Sequence, residues 1–157
     1  MKRPVPSPGL VVRYDYLWRS EARSGRLDGA KDRPCAVIIA YDQDERGNQT
    51  AILAAITHSP PKNSDDAIEV PARVKRSLGL DQARSWIVMT EINRVDWRDP
   101  GITPAMQLQW EYGRLPMKLW QPLRDEIVAR SKMGKVQIID RIAIENQSAR
   151  GLKGGGT

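Results

Sequence analysis

The sequence predicts a small α+β domain, mainly β with helices, built on a strongly curved antiparallel sheet or barrel. Three observations carry that reading. Short apolar stretches recur between turn-forming residues; a polar turn, DQDERGNQ, joins two of them back to back; and long-range helical spacing begins only after Leu115.

In chain order, Gly9 to Trp18 (GLVVRYDYLW) alternates, with Val12, Tyr14, Tyr16 and Trp18 on one face of a half-buried strand. Arg19 to Arg33 holds five basic and three acidic residues with two glycines, the composition of a mobile solvated loop. Pro34 leads into CAVIIAY, Cys35 to Tyr41, a buried strand that forms a hairpin with Ala51 to Ile56. Ala67 to Val70 is a short strand, and Pro71 opens a short helix ending near Gly79. Ser85 to Trp97 reads as one strand, and Arg98 to Gly113 as irregular. Leu119, Leu123 and Ile127 share one face of a helix that Pro122 either kinks or starts. KVQIIDRI is a late edge strand.

Composition limits the organisation and the function classes. With 157 residues, 40% hydrophobic and 28% charged, the chain suits one domain over residues 1–142, its sheet within 9–98 and its helix within 115–131. Residues 143–157, ending GLKGGGT, read as a flexible basic, glycine-rich tail. No apolar run approaches the roughly 20 residues of a bilayer span, and MKRPVPSPG lacks the greasy segment of a secretory signal, so a soluble cytoplasmic protein is expected. One cysteine, Cys35, excludes an intramolecular disulfide, and one histidine beside it excludes the common zinc sets; neither metal nor cofactor is expected. A formal charge of +6 and a pI near 9.7 favour a polyanionic partner. Without a basic amphipathic helix, nucleic acid ranks ahead of a membrane surface.

The stretch TAILAAITHSPP changes character halfway, from a greasy strand to Thr57 and His58, just before a double proline stops pairing. Together with the glycine-led first strand, the polar loop closed by DRPCAVIIAY, and SWIVMTEINRVDW, it resembles the MazF/PemK family of toxin endoribonucleases. The resemblance covers about Gly9 to Arg98 and rests on an Arg-Pro pair before the second strand and an AAIT-type end to the third. Where members often carry Glu-Gln-x-Gly-x-Arg-Pro, this chain has Asp28-Gly29-Ala30-Lys31-Asp32-Arg33-Pro34. The resemblance implies an SH3-like barrel of the MazF/CcdB type with a carboxy-terminal helix. It also implies a homodimer with single-stranded RNA across its interface, metal-independent cleavage, and a small antitoxin partner.

The chemistry assigns roles to residue types. In metal-free RNA cleavage the 2′-hydroxyl attacks phosphorus, so a site must remove one proton, donate another, and stabilise phosphoryl charge. Arg33 suits the last task because a guanidinium grips two oxygens in parallel; otherwise it is an exposed loop arginine. Thr57 would offer a hydroxyl to a phosphate oxygen, or simply end a strand. His58 would carry a proton, or is a loop histidine; neighbours in a strand point to opposite faces, so both reach one phosphate only if the strand ends or bulges there. Arg23, Arg26, Lys31 and Lys62 would form a phosphate-tracking rim. Tyr16 and Trp18 would stack on bases or fill the core. Asp42 to Gly47 lacks the ligands of a calcium loop, since Arg46 and Leu53 stand where acids belong. The competing class is a non-catalytic module on the same barrel, a degenerate toxin or a gyrase-directed relative of the CcdB branch.

Overall fold

The computed structural model describes residues 2–146. Its elements are β1 (Leu10–Tyr14), α1 (Arg19–Arg23), β2 (Arg33–Ala40), β3 (Thr50–Thr57), a 3-10 turn (Ser64–Asp66), β4 (Ala67–Glu69) and α2 (Ala72–Ser77). There follow β5 (Trp86–Val88), β6 (Glu91–Asp96), β7 (Ile102–Thr103), β8 (Gly113–Arg114), α3 (Met117–Lys132) and β9 (Gln137–Asp140), after which residues 141–146 are helical. The strands form one sheet in the order β4-β5-β3-β2-β1-β7, with β6 joining β3 to β9 and β8 paired to β1. Every ladder is antiparallel except β6–β9, which is parallel. The class is therefore α+β with a mainly antiparallel sheet, as expected; no ladder among the described residues joins the sheet's ends into a closed barrel. Among the described residues no helix is long and apolar enough to cross a membrane.

The expected hairpin of β2 and β3 is the centre. Its turn is closed by the Asp44 carboxylate, which accepts from the N–H groups of Arg46 and Asn48, both at 2.9 Å. Both faces of the pair are buried. Ala36, Ile38, Ile52, Ala54 and Ile56 pack under α2 and α3, while Cys35, Val37, Ala51, Leu53 and Ala55 pack against Tyr14, Val95 and Trp97. A register shift between Val37 and Ile39 sends Ile38 and Ile39 to the same side, which bends the strand.

The stretch read as one strand from Ser85 is two. β6 runs beside the first half of β3 and β5 beside its end; between the ladders two residues of β3 (Ala54, Ala55) face five of the partner (Val88 to Ile92). The surplus turns a corner, and β5 leaves with β4. The irregular stretch Arg98 to Gly113 likewise supplies β7 and β8 against β1. Two-residue strands made by tertiary pairing carry no pattern in sequence.

β1 ends at Tyr14, opposite the first residue of β2. Beyond it the chain is held by a side chain: Asn93, fully buried, accepts from the Leu17 N–H (3.0 Å) and donates to the Leu17 carbonyl (2.9 Å). The helix expected after Leu115 is α3, which buries Leu123 and Ile127 and carries Pro122 in its interior. Gly9, at φ +90°, faces the Trp120 ring on that helix; a Cβ there would lie 2.6 Å from Cδ1. The edge strand expected in KVQIIDRI is β9. Of the tail, 143–146 belong to the terminal helix and 147–157 lie outside the described residues. Arg141 in that helix is almost fully buried, donating to the Asp15 and Leu27 carbonyls and to Asn93 Oδ1, with the Asp15 carboxylate at 3.4 Å.

Two outcomes follow from this packing. Gly9→Ala is expected to lower unfolding free energy by about 1–3 kcal/mol in a denaturant titration, through both the positive φ and the contact with Trp120. Burial, opposed by Arg141, pushes Asp15 up to about 6. The folded state thus holds a proton that the unfolded chain has released, so the stability contributed by Asp15 is fully present below about pH 4 and is lost as pH rises through 6. Asp44, Glu69 and Asp81 are held below the usual carboxylate range chiefly by hydrogen bonds, so the stability they contribute is lost on the acid side of this window. The melting temperature should fall between pH 5 and 7.5, and Asp15→Asn should flatten that slope.

Candidate active site

The site begins where the buried column of the hairpin runs out. On one face of β2 and β3, Val37, Cys35, Leu53 and Ala55 are fully buried in a single cluster. The β2–β3 ladder ends with Cys35 opposite Ala55, and its register, extended two residues past that last pair, sets Arg33 level with Thr57; Thr57 itself pairs with Trp86 and Arg33 with Tyr14. Side chains opposite one another in an antiparallel pair share a face, so guanidinium and hydroxyl leave the sheet on the same side. Both line one groove of about 630 Å³, whose walls include Trp18, Lys62, Thr90 and Glu91.

Each member is fixed from behind. Thr57 is 7% exposed, and its Oγ1 accepts from the Ser59 N–H at 3.2 Å, a local turn that ends the strand before Pro60 and Pro61. The Arg33 guanidinium lies 5.2 Å from the centre of the Trp18 ring, which itself meets Tyr16 edge to face at 4.9 Å. Asp32, its sequence neighbour, is turned to Arg13 at 3.1 Å, and Arg33 forms no ion pair with a carboxylate among the described residues. Its charge is left to the groove. Below it, burial pushes the Cys35 thiol far above its ordinary range, so that sulfur is no nucleophile.

The loop before Arg33 is more ordered than its composition predicts. It opens with α1, and the Glu21 carboxylate accepts from the N–H of Trp18 (3.1 Å) and of Ala30 (2.9 Å), clasping the loop's two ends. Gly29 fits beneath this clasp because a Cβ there would stand 2.1 Å from the Tyr16 carbonyl.

His58 faces the other way. It lines a separate pocket of about 290 Å³ with Lys31, Lys75, Asp81 and Tyr112, and Arg33 forms a wall of both cavities. The strand ends at Thr57, so the two neighbours reach the rim from opposite sides of Arg33. His58 Nε2 is 2.9 Å from Asp81 Oδ2. Of the expected rim, Lys62 lines the groove and Lys31 the second pocket. Arg23 lies elsewhere, in a depression beside β9, and Arg26 turns back onto the Asp28 carbonyl at 3.2 Å. Tyr16 is fully buried and cannot stack on a base; Trp18, half-buried, is among the residues that line the groove.

Sequence reasoning missed Glu91, Asp81 and Lys75. Glu91 heads β6, and its Oε2 accepts from the Arg19 N–H at 3.0 Å. Lys75, on α2, is 4% exposed. Gly29→Ala should break the clasp, and trypsin should then cut within residues 19–33 several-fold faster than in the parent protein, while the buried hairpin resists.

Comparison with protein-family models, with curated proteins and with solved structures gave no match to the chain.

Proposed function

We propose that the chain is the toxin of a type II toxin-antitoxin pair, an endoribonuclease that cleaves single-stranded RNA without a metal ion. The observation that carries this reading is the convergence of Arg33 and Thr57 on one groove. A guanidinium that forms no ion pair among the described residues, lining the same groove as a hydroxyl, suits a phosphodiester: the fork of Arg33 takes two phosphoryl oxygens as charge builds on them, and Thr57 holds the group in place. Glu91 in the same groove offers a carboxylate for the 2′-hydroxyl proton, Lys62 tracks the backbone, and the Trp18 face receives an unpaired base.

In the same reading the curved sheet is an SH3-like barrel, β3 being the strand common to the β6 ladder and the β5 ladder. A homodimer would extend the groove across its interface, and the antitoxin would occupy it with a short acidic segment.

The test is incubation of the purified protein with a mixed-sequence single-stranded RNA in EDTA. Cleavage is expected, indifferent to chelation, reduced by about 10²-fold or more in Arg33→Ala and about tenfold in Thr57→Val. Intact RNA in the presence of the parent protein would replace this reading by the non-catalytic binding module.

A further inference from the structure

The pocket on the far side of Arg33 contains a fixed histidine that the groove chemistry leaves unused. His58 Nε2 meets Asp81 Oδ2 at 2.9 Å, and Asp81 Oδ1 meets Lys75 Nζ at 2.7 Å. Lys75 is in turn bonded to Ser85 Oγ at 2.8 Å and to the Ala83 carbonyl, and Asp81 Oδ1 also accepts from the Ala83 N–H at 3.1 Å. A lysine that is 4% exposed is tolerable only with its charge and donors satisfied, so this arrangement has little freedom to move. The carboxylate of Asp81 is therefore held in place even though more than half of its side chain meets solvent.

We infer that His58 is the acid that protonates the leaving 5′-oxygen, and that Asp81, anchored by Lys75, positions its ring. The inference rests on the nuclease reading above and deepens it. A displacement at phosphorus places attacking and leaving oxygens on opposite sides. Arg33 stands as the wall between two cavities, with Thr57 and Glu91 on one side and His58 on the other. A phosphodiester gripped by Arg33 would present its 2′-oxygen to the groove and its 5′-oxygen to the pocket, whose Ile56, Leu80 and Tyr112 lining suits the departing nucleoside.

The ring's two nitrogens then have separate duties. Nε2–H donates to Asp81, which leaves Nδ1 as the nitrogen that faces substrate. The 2′-oxygen bonds to phosphorus as its proton passes to Glu91; the bond from phosphorus to the 5′-oxygen breaks, and that oxygen takes the Nδ1 proton of the imidazolium. The products are a 2′,3′-cyclic phosphate and a 5′-hydroxyl, with His58 neutral, and exchange with water restores both residues. The charged or titratable groups facing His58 in this pocket are Lys31, Asp32, Arg33, Lys75, Asp81 and Tyr112.

A pair of RNA substrates tests this, one all-oxygen and one with sulfur bridging at the 5′ position of the scissile linkage, since a thiolate leaves without a proton. His58→Ala alters a solvent-exposed side chain and is expected to keep the parent melting temperature, whereas Asp81→Asn takes the carboxylate from the buried Lys75 and is expected to lower it, so both variants are assayed well below their own melting temperatures. On the all-oxygen RNA they should slow cleavage by about 10²-fold or more and about tenfold, respectively. On the thio RNA both should return to near the parent rate, while Arg33→Ala stays slow on both. Equal losses on the two substrates, or no loss on the all-oxygen RNA, would overturn the inference and leave the nuclease reading standing. A parent protein that cleaves neither substrate overturns both.

Discussion

One strand constrains the rest of the molecule. β3 is hydrogen-bonded along both edges, to β2 on one side and to β6 and β5 on the other, and its side chains are buried on both faces. Ala51, Ala54 and Ala55 let neighbouring layers approach closely, and a strand locked in this way has no low-cost displacement. Its last residue, Thr57, is therefore placed with the rigidity of the core although it stands at the rim of a groove.

The rim obtains its polarity from the same geometry. Cys35 and Ala55 end both the ladder and the apolar column, and the same register extended two residues leads to Arg33 and Thr57, which line one groove. The ring of Trp18 supports the guanidinium from the side, Asn93 fixes the segment that carries Trp18, and Glu21 closes the loop that returns to Arg33. Core packing and site formation are consecutive steps along one ladder. Small changes in the loop should therefore alter the angle at which Arg33 enters the groove more than its position along the strand.

Several parts of this arrangement were legible in the residues. The alternation around Val12 and Tyr14, the apolar runs of the central hairpin and the fourfold spacing of Leu119, Leu123 and Ile127 each mark their element, because burial acts on every turn or every second residue. Other parts left no such trace. β7 and β8 exist because β1 needs an edge partner, and the corner at Met89 and Thr90 arises from a mismatch in residue number between two strands. Tyr16 illustrates the limit most directly: alternation placed it on the inner face, and only the packed structure shows that this face is sealed there and open at Trp18.

By itself the sequence determined the class of the fold, the excess of positive charge, and the three side chains, Arg33, Thr57 and His58, in which the chemistry was sought. The tertiary structure decided their grouping: Arg33 and Thr57 in one groove, His58 across the Arg33 wall with Asp81 and the buried Lys75. The reason is that strand periodicity assigns a residue to a face, a property of the chain alone. Which distant carboxylate or ammonium meets that face depends on register and on loops whose course is set by packing.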